Sequence, residues 1–254
     1  MPSLKRMRNW TREETIVAFN VYCKIPFKSS SKTNPTVIEY AKILGRTPSA
    51  LNMKIGNLGR LDPELKLQGI TGLKNGSKID KEVWEEFNGN WDDLAYESEK
   101  IIANLKGRDI EYDLSSKMPE GKEKEVVIKA RVNQSFFRSA VLSAYNNTCC
   151  ITGINIPELL IASHIIPWKQ NIERTNPKNG LCLNSLHDRA FDRGYIAINN
   201  NYQIVISKYL QDLEQNQTIN TFFLSHNKKI IQLPDKFLPS KEFLNYHYEE
   251  IFKK

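Results

Sequence analysis

Three residues stand at spacings that suit chemistry: His164, Asn179 fifteen residues on, and His187 eight further on. His164 ends an apolar run over 159–164, and Pro167 breaks any strand ladder behind it. Asn179-Gly180 opens a second short apolar run, Leu181-Cys182-Leu183. His187 falls in a short helical segment over 185–192, capped by Ser185 and ended by Gly194. Histidine titrates near neutrality. A neutral imidazole can take a proton from water as a general base, or give its lone pair to a metal.

More than three positions agree. His164-Ile165-Ile166-Pro167, Asn179-Gly180-Leu181, Leu186-His187-Asp188 and Phe191-Asp192-Arg193-Gly194 follow in register. This pattern resembles the HNH nucleases. The stretch from Arg131-Val132-Asn133-Gln134 to Asp192-Arg193-Gly194 is similar to HNH domains of bacterial restriction-type endonucleases. The resemblance implies a ββα-metal site that hydrolyses DNA phosphodiesters. In it His164 is the general base, Asn179 braces the loop that holds His164, and His187 binds one divalent cation. Mg2+ is the first expectation, with Mn2+ or another cation as alternatives. Many relatives carry Asp or His just before the base, as a second metal ligand; here that residue is Ser163. A neutral hydroxyl is a poor ligand for a hard cation. The expected metal set is therefore His187, Asp192 and Ser163, with Asp188 the alternative to Asp192, or His187 with water and phosphate. Asp188 points about 100° away from His187 around a helix.

The elements that must carry these residues are a helix over 134–144, a strand and turn at 149–153, the two strands, the helix and a hairpin over 195–207. A last helix runs from about 240 to 252, with His247 packed on it, and His226 lies in a polar surface loop. Ahead of them, residues 114–125 are polar, hold Pro119 and Gly121, and lack periodicity, which is the composition of a linker. The expected fold is α+β: a helical domain over 1–113, the linker 114–125 and an HNH nuclease domain over 126–254.

The helical domain has strong punctuation. Thr11 and Glu14 fit a capping box, for a helix running to about Cys23. Asn34-Pro35 and Thr47-Pro48 each pair a capping residue with a first-turn proline, and Gly45 separates the two helices. Helix, short turn with Gly, helix over about 34–58 is a helix-turn-helix layout. Its second helix would offer Ser49, Asn52, Lys54 and Asn57 to DNA, with Arg46 before it and Arg60 beyond. The opening Trp10-Thr11-Arg12-Glu13-Glu14 is similar to the start of Myb-like three-helix domains. Over 61–113, Trp84, Phe87, Trp91 and Leu94 read as core. In the nuclease domain Arg131 and Arg189 are candidate phosphate contacts.

Charge fits this division. The net charge of +7 resolves into +8 over 1–60, −6 over 61–125 and +5 over 126–254. Two basic blocks around an acidic one suit a polyanionic partner bound at two places. No apolar run reaches the ~18–20 residues of a membrane span, and Met1 to Arg8 has no apolar stretch behind it, so no secretory signal is read. Four cysteines without a Cys-x-x-Cys pair argue against a disulfide framework or a Cys-rich zinc site, and for reduced thiols in the cytoplasm. Cys150 and Cys182 lie in apolar runs and read as buried.

The sequence thus points to a metal-dependent DNA endonuclease of restriction or defence type. Double-stranded DNA is its partner, specificity comes from the N-terminal domain, and a homodimer makes double-strand breaks. The competing reading is a DNA-binding regulator with an inactive HNH domain, favoured only by Ser163.

Overall fold

Side-chain caps fix where the N-terminal helices begin. The computed structural model describes residues 8–70, 76–110, 122–168 and 174–254. Helix α1 (Arg12–Lys24) starts on a capping box: Thr11 Oγ1 accepts from Glu14 N at 3.2 Å, and Glu14 Oε2 accepts from Thr11 N at 3.0 Å. Helices α2 (Pro35–Ile43) and α3 (Pro48–Gly59) each begin on a proline behind a capping residue, Asn34 and Thr47. Between them Gly45 takes φ +61°, a conformation that costs a residue with a Cβ. A short α4 (Pro63–Leu67), not expected from the sequence, precedes α5 (Lys78–Phe87) and α6 (Trp91–Leu105). Phe19 of α1 stacks on Trp84 at 4.8 Å, and Trp91 meets it edge-on at 6.2 Å, so the tryptophans are core.

The chain divides into two units, 1–22 with 29–132, and 23–28 with 133–254. Most of the expected linker, residues 114–121, lies outside the described residues. Residues 122–125 are not linker but the first turn of α7 (Lys122–Ala144), which therefore starts well before 134. Lys and Glu are good helix formers, so a polar run without periodicity need not be coil.

In the second unit β1 (Leu160–His164) pairs antiparallel with β2 (Gly180–Asn184), placing His164 opposite Gly180 and Leu160 opposite Asn184. Helix α8 (Ser185–Asp192) follows β2 without a loop. Its cap is Asn184, whose Oδ1 accepts from Leu186 N and His187 N, rather than Ser185. α8 packs on both strands, which completes a ββα unit. A hairpin, β3 (Ile196–Ile198) with β4 (Ile204–Ile206), comes next, then α9 (Lys208–Gln211), α10 (Gln217–Phe222) and α11 (Lys241–Glu250). Residues 149–153 form a turn, not a strand; Cys150 N reaches Cys182 O at 2.8 Å. α11 packs on β3, and its His247 stacks on Phe191 of α8 at 3.6 Å.

The fold is α+β, with helices dominant and four short strands among the described residues. No helix among the described residues is long and apolar enough to cross a membrane.

Candidate active site

A cleft of about 520 Å³ opens where the end of β1 meets α8. Ser163, His164, Pro167, Trp168, Asp188, Arg189, Asp192 and Arg193 all line it. The strand end supplies the first two. Residues four apart on α8 share a face, so Asp188 with Asp192, and Arg189 with Arg193, reach the cleft together.

His164 is held on several sides. Its ring lies flat on Phe137 of α7, with centroids 3.8 Å apart and 8° between planes. Trp168 meets it edge-on at 5.4 Å. Its Nε2 donates to the carbonyl of Arg174 at 3.0 Å. That bond selects the tautomer with the proton on Nε2 and leaves Nδ1 bare; Nδ1 makes no hydrogen bond among the described residues. Burial pushes the imidazole pKa down and the Arg174 carbonyl opposes it only in part, so the ring is neutral at neutral pH.

Asn179 is fully buried and works on the backbone just beyond His164. Its Oδ1 accepts from Ile166 N at 2.8 Å, its Nδ2 donates to Ile166 O at 3.2 Å, and its carbonyl accepts from Ile165 N at 2.9 Å. Three hydrogen bonds thus set the path of the chain leaving β1.

His187 is not in this cleft. It is 2% exposed, on the opposite side of α8, against a second pocket formed with Thr152, Ile154, Leu159, Phe222 and His226. Its Nε2 bonds the Phe222 carbonyl at 2.9 Å, and its Nδ1 meets Asn184 Oδ1 at 3.1 Å. Burial lowers the pKa of this ring, and a neutral imidazole has one N–H, so only one of these two oxygens accepts from it. The expected metal ligand His187 is thus not brought to the cleft of His164; one residue along a helix is about 100° of rotation, and its neighbour Asp188 lines that cleft.

Among the described residues no three His, Cys, Asp or Glu side chains gather into a ligand set. The cleft offers two carboxylates and a hydroxyl. Burial raises the pKa of Asp188, while Ser163 and Arg189 lower it. Burial and then repulsion from Asp188 raise that of Asp192, against Arg189 and Arg193. Ser163 is 2% exposed, and its Oγ has no hydrogen-bond partner of good geometry, although it stands close enough to Asp188 to favour the ionised carboxylate. Two carboxylates brought together where burial disfavours their charge suit a hard divalent cation.

The cysteines take no part. All four are buried and free. Burial and the neighbouring Cys149 push the Cys182 thiol up to about 12, far from a thiolate.

The candidate DNA contacts fare unevenly. Lys54 does not face outward: it is 2% exposed and ion-paired with the fully buried Asp80. Arg46 is spent on Glu14 at 2.6 Å and on the carbonyls of Arg8 and Asn9, and it lies over the Trp10 ring. Asn52 is half-buried and accepts from Ser30 Oγ at 2.7 Å; Asn57 is half-buried; Arg60 packs against Gly76. Ser49 is exposed. Arg131 is half-buried, and Arg189 stands exposed at the cleft.

Residues 149–199 match the family described as HNH endonuclease. The matched segment holds both strands, α8 and every α8 residue of the cleft, and it supports an HNH nuclease here. No curated protein matches the chain.

Proposed function

We propose that the protein is a metal-dependent endonuclease acting on double-stranded DNA, with His164 as general base. One observation carries this reading: a neutral imidazole with one committed nitrogen shares a cleft with two carboxylates and two arginines.

The proton balance follows from the tautomer. Nε2–H stays on the Arg174 carbonyl, so Nδ1 is the nitrogen that takes the proton of the attacking water. Asn179 keeps the loop after His164 fixed while the ring changes charge. Arg189 and Arg193 hold the phosphates on either side of the scissile bond. Asp188 and Asp192, with Ser163 beside them, would hold a divalent cation that supplies positive charge to the phosphate and the leaving oxygen. Mg2+ or Mn2+ fits oxygen donors better than a softer metal.

The N-terminal unit is proposed to give specificity, through the exposed part of the α3 face around Ser49. A restriction or defence role in the cytoplasm, with a homodimer cutting both strands, completes the proposal.

Supercoiled plasmid with Mg2+ or Mn2+ is the direct test. Wild type should nick and linearise it, and His164→Ala should lower the rate by about 10²–10⁴-fold while binding DNA normally. Equal rates for the two proteins would end the enzyme reading. DNA binding without cleavage in any metal would instead leave a DNA-binding regulator.

A further inference from the structure

His164 sits where two elements far apart in sequence meet. Its rung partner on β2 is Gly180. Gly180 has φ −129° and ψ 143°, ordinary extended backbone that any residue adopts. The reason for a glycine there is space. A Cβ at that position would lie 2.3 Å from Val141 Cγ2 and 3.0 Å from Phe137 Cζ, both on α7. Helix α7 therefore rests directly on the His164–Gly180 rung.

That contact brings Phe137 onto the imidazole. Phe137 is 2% exposed and nearly parallel to the His164 ring. Three constraints then act on one ring. Phe137 sets its plane, Trp168 limits its tilt, and the Arg174 carbonyl sets its rotation. Only the first comes from outside the stretch matched to the nuclease family, because α7 ends at Ala144. A stiff aromatic face is well suited to this task. A leucine fills similar volume, but its branched end offers no flat surface and several rotamers.

We infer that Phe137 is the positioning residue for the general base, that Gly180 is the gap through which it reaches, and that α7 is thereby part of the catalytic apparatus. This rests on the reading of His164 as the base. The chemistry is sensitive to such support, since displacing a reacting group by about 1 Å can cost about 10²-fold in rate.

Phe137→Leu and Phe137→Tyr test the inference in the full-length protein. Plasmid cleavage, DNA affinity, thermal unfolding and ¹⁵N NMR of the His164 ring at alkaline pH are read for each. Phe137→Leu should lower kcat by about 10–100-fold with KM and DNA affinity within about twofold, because the base is misplaced and the DNA contacts are not. Its His164 ring should become a mixture of tautomers, where wild type holds the proton on Nε2. Phe137→Tyr keeps the flat face and should recover kcat to within about threefold of wild type. Should Phe137→Leu fail to fold, Phe137→Met carries the same comparison.

The inference is overturned if Phe137→Leu keeps wild-type kcat and a single tautomer, or if both variants lose rate only in proportion to lost stability. The underlying reading fails separately, when wild type does not cut or His164→Ala cuts as well. In that case the tautomer still decides whether Phe137 orients the ring.

Discussion

The Asn179 side chain grips both polar groups of Ile166, accepting from its N–H and donating to its carbonyl. The amide is the one side chain of its size with a donor and an acceptor side by side, so no isostere reproduces this clamp. Asn179→Asp keeps the acceptor and loses the donor, and it sets a buried carboxylate against a carbonyl. We expect a loss of about 1–3 kcal/mol in unfolding free energy. The fall in kcat should exceed what the unfolded fraction explains. Denaturant unfolding read beside cleavage rates checks this, and a variant that loses stability alone would reduce Asn179 to a scaffold residue.

Cation binding should separate the two faces of α8. Asp188→Asn and Asp192→Asn remove charge from the cleft, and each should weaken Mn2+ binding by about tenfold or more in calorimetry. His187→Gln lies on the other face. It should leave Mn2+ affinity within about twofold and cost about 1–3 kcal/mol through its lost bond to the Phe222 carbonyl. A large loss of Mn2+ affinity in His187→Gln would return that histidine to the metal site.

The N-terminal unit has an ion pair where a DNA contact was expected. Lys54→Ala leaves Asp80, at 0% exposure, without its cation. Removing one partner of a buried pair costs about 3–5 kcal/mol. The variant should show a lower melting temperature in the absence of DNA. Ser49→Ala, at an exposed position, should leave melting unchanged and weaken only DNA binding. If Lys54→Ala melts as wild type does and loses DNA affinity, the lysine is a contact after all.

How much of this was legible in the sequence depends on the range of the interaction. His164 at a strand end, Asn179 before the next strand and a helix directly after it are local patterns, and they could be read. On α8 the sequence favours His187 as ligand, while the structure brings Asp188 and Asp192 to the cleft of His164. The clue was present, because Asp188 and Asp192 are four apart and must share a face, whereas His187 shares its face with Phe191, which is core. Lys54 was misread for a similar reason: it is three residues after Leu51 and four before Leu58, on the same buried stripe. Its partner Asp80, the tautomer-setting carbonyl of Arg174 and the Phe137 stack are tertiary contacts. Nothing in local spacing encodes them. The polar run at 122–125 looked like linker because it has no apolar stripe, yet it is helix.

Acid should destabilise the nuclease unit through His247. Its ring is buried against Phe191, its Nε2 donates to the Phe191 carbonyl at 3.1 Å, and its Nδ1 is buried without a partner. A proton on Nδ1 would place a charge in the core with nothing to accept it. Burial accordingly depresses the pKa to about 4, with the carbonyl opposing only in part. The sign follows from proton counting. Between the unfolded value of about 6.5 and the folded value of about 4, the unfolded chain binds the extra proton and the folded one does not. Stability is therefore full above about 6.5 and falls as the pH drops through that window, by on the order of 3 kcal/mol in all for this one group. His247→Phe keeps the stack and removes the titration. It should flatten the pH dependence of unfolding free energy between pH 4 and 6.5 without altering its value at pH 7.5 by more than the lost bond to Phe191, about 1 kcal/mol. A variant that shows the same acid slope as wild type would place the titrating group elsewhere, among His164, His187 and His226, whose pKa values burial also lowers.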